Sequence, residues 1–249
     1  MKACANLQTL FSDLPLLDRF AAAEKAGFRG VELPFPYDSA VPELLGQLGR
    51  YGLSLVMIAC PPPNYTGAAR GFAAGPGGTA RFRQDFKRTL RYAKALGAAH
   101  VHVMSGVAAG PEARETLIAN LRWALAEGQH QHLTIEPMSQ TEVPGYYLNN
   151  ALKAYGIVKE INHPRLGLQF DVSHIHAMHS DVLGVWADVA DRVHHIQIAQ
   201  APNRSAPLSK GEIDVSGFLA AVARSKYKGW IAAEYTAHSD DPNHMAWLK

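Results

Sequence analysis

Eight short, strand-like apolar runs, each separated from the next by a helix-sized segment, constrain this chain more than anything else in it. They are "KACANL" from Lys2, "RGVEL" from Arg29, "LSLVMIA" from Leu53, "HVHVMS" from His100, "HLTIEP" from His132, "RLGLQFD" from Arg165, "VHHIQIA" from Val193 and "GWIAAEY" from Gly229. A helix is expected from Asp13, with apolar residues at Leu16, Leu17, Phe20 and Ala23 and a stop at Gly27. Others are expected over Arg81–Leu96, Pro111–Glu127, Asn149–Ile161 and Val215–Ser225. Strands that alternate with helices pair in parallel through right-handed crossovers. Eight of them fit a closed α/β (β/α)8 TIM barrel, which typically takes about 250 residues. The chain has 249. An open doubly wound sheet is the rival, but no glycine-rich phosphate loop follows the first strand. The "GPGG" at Gly75 reads as a flexible loop instead. Composition does not break anywhere, so residues 1–249 are expected to form a single domain.

Charge and apolar patterning exclude several classes. With 24 basic and 22 acidic residues the formal net charge is +2, which does not suit a nucleic-acid partner. No apolar run reaches the ~18 residues of a membrane span, and "MKACANLQTLF" lacks the apolar core of a signal peptide. No membrane partner is therefore expected, and the cytoplasm is the expected compartment. Cys4 and Cys60 set no disulfide framework and read as small buried residues. The histidines, twelve in all, crowd the second half and favour a polar site there.

Three of the strands stop on an acid: Glu136 in "LTIEPMSQ", Asp171 in "LQFDVS" and Glu234 in "IAAEYT". The seventh strand offers Gln197. In a (β/α)8 barrel the C-terminal strand ends build the site, so these four side chains are expected around one mouth. Each has a bland reading. Asp171 could cap a helix, Gln197 alone carries little, and His174, His176 and His179 could form a wet loop. Taken together they give oxygen ligands for a divalent metal, Mg²⁺ or Mn²⁺ before Zn²⁺. His174, three residues after Asp171, is expected to face a substrate from the start of the next loop.

At these residues the chain resembles the hydroxypyruvate isomerase family, within the xylose-isomerase-like TIM barrels, nearly end to end. The match runs through "CANLQTLF" from Cys4, Gly27 to Glu32, Phe35 to Asp38, "RYAKALG" at Arg91, "IEP" at Ile135, "DVSH" at Asp171, "HIQIA" at His195, "GEI" at Gly211 and "GW…EY" at Gly229. The resemblance implies that Glu136 and Glu234 are paired acid–base glutamates that also ligate the metal, with Asp171 and Gln197 completing the ligand set. It implies that His174 and Arg204 touch the substrate, and Arg70 with Gly71 keeps its family place. Glutamine at 197, where ketose epimerases carry histidine, favours the isomerase branch. Glu32 stays a minor candidate and Glu43 a surface helix residue.

The loops depart from the family. Ala59, Pro63, Asn64 and Tyr65 stand where Asn, Gly, Asp and Trp are usual. Ala69 replaces a glutamate, Val107 a lysine, and Gln200 and Ala206 replace acids. The implied reaction is a metal-dependent aldose–ketose type isomerisation of a small hydroxy-oxo acid, hydroxypyruvate, tartronate semialdehyde or a related oxo-tetronate. One glutamate removes a proton and the other delivers it, through an enediolate. Ketose 3-epimerase, DNA-repair endonuclease and non-catalytic sugar-acid-binding barrel are the alternatives. Self-association is left open.

Overall fold

The computed structural model describes residues 1–61, 71–237 and 246–248. Strands β1 (Lys2–Asn6), β2 (Gly30–Glu32), β3 (Ser54–Cys60), β4 (His100–Val103), β5 (His132–Ile135), β6 (Leu166–Asp171), β7 (Val193–Ile198) and β8 (Trp230–Ala233) lie side by side in chain order. Every pairing is parallel, and β1 closes on β8, so the sheet is a closed barrel. Around it run α1 (Arg19–Lys25), α2 (Val41–Tyr51), α3 (Thr79–Leu96), α4 (Gly110–Glu127), α5 (Ala151–Ile161), α6 (Val172–His179), α7 (Val182–Val189) and α8 (Val215–Arg224). The expected (β/α)8 architecture is thus present. Among the described residues no helix is long and apolar enough to cross a membrane.

Each strand sorts its residues by the period of two. Val31, Leu55, Val101, Val103, Leu133 and Ile135 belong to one apolar layer with the buried faces of the helices. The other set faces the barrel axis, where a small plug of Cys4, Val56, Met57 and Ala232 packs beside Trp230. The remaining axial positions are unusually polar for parallel strands, which are ordinarily apolar on both faces. Asn6, Glu32, His102, Gln169, His195 and Gln197 are all buried. Both cysteines are buried and free.

Three local expectations are revised. The helix expected from Asp13 starts only at Arg19, whose guanidinium donates to the carbonyls of Leu7 (2.7 Å) and Leu14 (2.8 Å) and so holds the preceding turns in place. The "GPGG" stretch is a short 3-10 turn, Pro76–Gly78, leading into α3. His174, His176 and His179 stand on helix α6, not on a loop.

Candidate active site

The C-terminal mouth of the barrel opens into a cavity of about 320 Å³. Glu136, just past β5, Gln197 on β7 and Glu234, just past β8, line it, together with Arg204 from the loop after β7. His102, Gln169, His174 and Glu142 complete its polar wall. Asp171 does not line it. The Arg204 Nη2 donates to Asp171 Oδ2 at 2.6 Å and covers that carboxylate from the cavity side. Arg70 lies outside the described residues, as do Pro63, Asn64, Tyr65 and Ala69.

Asp171 does cap a helix. Its Oδ1 accepts from the backbone N–H groups of Ser173 (2.8 Å) and His174 (3.4 Å) at the start of α6. That cap turns His174 into the mouth, where its Nε2 lies 4.0 Å from Glu136 and 3.9 Å from Asp171. One atom each from Glu136, Asp171 and His174 falls within 4.8 Å of the others. Glu234 lines the same cavity without joining that tight set. The cap and the site are therefore one arrangement, not competing readings.

Gln169 ties the floor together. Its Nε2 donates to Glu136 Oε2 and to Gln197 Oε1, each at 2.8 Å, and lies 3.4 Å from His102 Nδ1. Gln197 in turn donates Nε2 to Glu32 Oε2 at 3.0 Å. Glu32, wholly buried under the mouth, also accepts from Asn6 Nδ2 (2.9 Å) and makes a short contact with His195 Nε2. So Glu32 matters more than the sequence suggested: it anchors Gln197 from below.

Burial sets the electrostatics. It lifts the Glu136 carboxyl well above its usual range, and the charges of Asp171 and Glu234 add to the lift. It pushes Glu234 up to about 8, against the pull of Arg204. Glu32 also reaches about 8, because burial outweighs the hydrogen bonds from Gln197 and Asn6. Burial drives His102 and His195 down to about 3. Glu142 goes the other way, to about 2, chiefly through its hydrogen bond with His174. Burial alone would lower Arg204, but the charges of Asp171, Glu234 and Glu142 hold it above its usual value.

Three polar atoms in this wall have no hydrogen-bond partner among the described residues: His102 Nε2, Arg204 Nη1 and Glu234 Oε2. The guanidinium nitrogen is a cationic donor and the glutamate oxygen an anionic acceptor. Crowded carboxylates with an oxygen to spare, an amide oxygen and an imidazole suit a hard divalent cation. Glu136, Asp171, Glu234 and His174 could hold one. Gln197 Oε1 could join only by giving up its hydrogen bond from Gln169.

Of the family departures, Ala59 lines the cavity wall. Gln200 does something else. It is buried in its own loop, where its Oε1 accepts from Ile213 N (2.8 Å) and Ala201 N (3.0 Å) and its Nε2 donates to Ile213 O (3.0 Å). That substitution organises the loop carrying Arg204 and does not face the cavity.

A closed (β/α)8 barrel with carboxylates, an imidazole and an arginine at its C-terminal mouth defines a class of barrel enzymes, and comparison with known proteins agrees. Residues 20–249 match the xylose isomerase-like TIM barrel model. The chain is 36% identical to a 2-oxo-tetronate isomerase of Cupriavidus necator, covering 98% of this chain and 96% of that one. It is 30% identical to the hydroxypyruvate isomerase of Escherichia coli, covering 100% and 98%. A crystal structure described as AP endonuclease, family 2, from Brucella melitensis superposes with a TM-score of 0.92 at 32% identity, covering 100% and 98%. The chain belongs to the xylose isomerase-like TIM barrels and, within them, to the hydroxypyruvate isomerase family; it is an isomerase.

His102 and Gln169 escaped the sequence reading as members of the site, and Glu32 entered it only as a minor candidate. Their signal was present as the period of two: His102 follows His100, and Gln169 precedes Asp171, each separated by one apolar residue.

Proposed function

We propose that this isomerase acts on a small hydroxy-oxo acid of the hydroxypyruvate or 2-oxo-tetronate kind, moving its carbonyl by one carbon. The observation that carries the reading is a pair of unpartnered atoms facing one cavity, Arg204 Nη1 and Glu234 Oε2. A carboxylate-bearing substrate supplies the acceptor that the guanidinium lacks. The glutamate oxygen, unencumbered, is free to take or give a proton. At about 320 Å³ the cavity lies at the small end of ligand sites, which run ~300–1,000 Å³.

The chemistry follows from these positions. One of Glu136 and Glu234 removes the proton from the carbinol carbon beside the carbonyl, leaving an enediolate. The other returns a proton to the neighbouring carbon, and the hydroxyl protons exchange in step, so the reaction is redox-neutral. Burial raises both carboxyl groups, Glu234 to about 8, in the direction that suits a group which takes and returns protons. A divalent cation, Mg²⁺ or Mn²⁺, held by Glu136, Asp171, Glu234 and the mouth's other donors, would supply charge stabilisation for the enediolate. Gln169 orients Glu136 through the hydrogen bond to its Oε2. A small-molecule substrate of this kind fits the cytoplasm.

Two rivals are separated by one set of assays. A ketose 3-epimerase returns the proton to the carbon it left. A nuclease, the reading suggested by the Brucella structure's description, would incise abasic DNA. The test is solvent-deuterium incorporation and carbonyl migration across hydroxypyruvate, tartronate semialdehyde, 2-oxo-tetronates and a ketose, with Mg²⁺ or Mn²⁺ present. Carbonyl migration in an acid supports the proposal. C3 inversion of the ketose alone, or strand incision alone, sinks it.

A further inference from the structure

The opposite, N-terminal end of the barrel carries a second cavity, of about 640 Å³, whose lining includes three imidazoles from three strands: His100 of β4, His132 of β5 and His194 of β7. His132 stands between the other two, with ring centres 5.9 Å from His100 and 6.1 Å from His194. His100 Nδ1 and His194 Nδ1 are buried and have no hydrogen-bond partner among the described residues.

The backbone is shaped to put His194 there. Along the β6–β7 pairing, Leu168 faces Val193 but Gln169 faces His195, so His194 is an extra residue in a bulge. Such bulges re-aim a side chain. Opposite it, Gly167 leaves the space that the ring fills: a Cβ at that position would lie 2.1 Å from His194 Cγ. A glycine in a strand interior weakens it and marks a close approach, and here the approach is made by an imidazole.

We propose that His100, His132 and His194 form a second, nitrogen-donor site for a borderline transition-metal ion, foremost Zn²⁺, independent of the catalytic mouth. Two imidazoles on one tetrahedral zinc ion, with Zn–N of ~2.0–2.1 Å, stand about 5 Å apart centre to centre. The rings stand farther apart than that and would have to turn toward a shared ion to bind it together. Burial keeps His100 near 3 and His194 near 4, and lowers His132, so at neutral pH all three present the lone pair that a metal needs. Lys226 and Lys228 line the same cavity, but both are exposed at its rim and can turn their ammonium groups to solvent. The buried donor set of Cys4, Glu32 and His195 is a weaker candidate, because its carboxylate already engages Asn6, Gln197 and His195. The donor sets at the two ends differ in kind, oxygen-rich above and nitrogen-only below, and so select different ions.

The test is calorimetric titration of Zn²⁺ into the full chain carrying Asp171→Asn, which cripples the mouth, and into the same protein with His132→Ala and His194→Ala added. The first should bind one Zn²⁺ per chain. The second should bind it at least ~100-fold more weakly, ligand loss costing no less than the 10–100-fold of an outer-shell change. Wild type saturated with Mg²⁺ provides the same comparison should Asp171→Asn fold poorly. Gly167→Ala, which displaces the His194 ring, should weaken Zn²⁺ and leave Mn²⁺ binding at the mouth unchanged. Imidazole ¹⁵N shifts at His100, His132 and His194 on adding Zn²⁺ identify the ligands. Zn²⁺ affinity unaltered by the histidine substitutions, or no Zn²⁺ bound when the mouth is crippled or filled, overturns the proposal.

Discussion

Asp171 is held from both sides, its Oδ1 by the first N–H groups of α6 and its Oδ2 by Arg204 at 2.6 Å. The guanidinium thus stands where a cation would approach the carboxylate. It also keeps Nη1 unpaired toward the cavity. One side chain balances the carboxylates and, in the proposed reaction, would also bind the acid group of the substrate.

Arg204→Gln separates these two duties. Divalent-cation affinity should hold or rise, because a competing positive charge is gone. Affinity for the acid should fall by roughly 10–150-fold, the value of a lost charge-assisted hydrogen bond of ~1.5–3 kcal/mol. Mn²⁺ calorimetry and KM on the same variant measure both. Arg204→Lys should lose most of that substrate affinity too, since an ammonium does not replace the planar fork. Unchanged KM in both variants would leave Arg204 a purely structural counter-ion.

Glu136→Gln and Glu234→Gln should each remove turnover by at least ~10²–10⁴-fold, the usual share of a general acid–base group. The amide keeps size and one oxygen but cannot accept a carbon-bound proton. The variants should differ: the one that retains the base still exchanges the substrate's α-proton with solvent. Proton NMR in D₂O reads that exchange directly. Wild-type turnover in both variants would reduce the protein to a barrel with another purpose.

The acids at strand ends were legible because strand termini set their depth in a barrel, and an acid that ends an apolar run has few other reasons to be there. Glu32, also a strand-end acid, stayed a minor candidate, because what makes it matter lies far off in sequence: Asn6, His195 and Gln197 come from β1 and β7. His174 was placed on a loop because α6 is only eight residues long and its start rests on the Asp171 cap, a contact the pattern of apolar residues does not report. The loop departures were legible as changes but not as roles. Gln200 showed in the sequence only as the replacement of an acid and is a loop brace, a role that only its hydrogen bonds to Ile213 and Ala201 reveal.

Gln169→Leu should be costly out of proportion to its exposure, which is 1%. Leucine would leave Glu136 Oε2 and Gln197 Oε1 without the donor they share. An unsatisfied buried acceptor costs ~1–3 kcal/mol, so the urea midpoint should drop clearly. The glutamate floor would also loosen, and kcat should fall more than KM rises. An unchanged midpoint with unchanged kcat would mean that the network re-forms without Gln169.

Metal-free stability should peak between about pH 4.5 and 6.5, and the signs follow from two opposed sets of groups. Glu32 and Glu234 titrate near 8 in the fold against 4.5 in the reference state. Between those values the folded chain holds more protons than the unfolded one, so their contribution falls as pH rises. His100, His102 and His195 titrate near 3 in the fold against 6.5. Between those values the unfolded chain holds more protons, so their contribution rises with pH. The two trends oppose each other where they overlap, from about 4.5 to 6.5. Above 6.5 only the carboxylates act, and stability should decline to about pH 8. Below 4.5 the histidines act together with Glu142, whose carboxyl is held at about 2 in the fold, and stability should decline toward pH 3. Thermal melts in chelator across this range test the shape. Adding Mg²⁺ or Mn²⁺ should remove the alkaline decline, because a bound cation stabilises the ionised carboxylates. Glu234→Gln should flatten the same limb without metal. A chelated protein whose stability rises steadily from pH 6.5 to 8 would show that these carboxylates ionise without a cation to balance them.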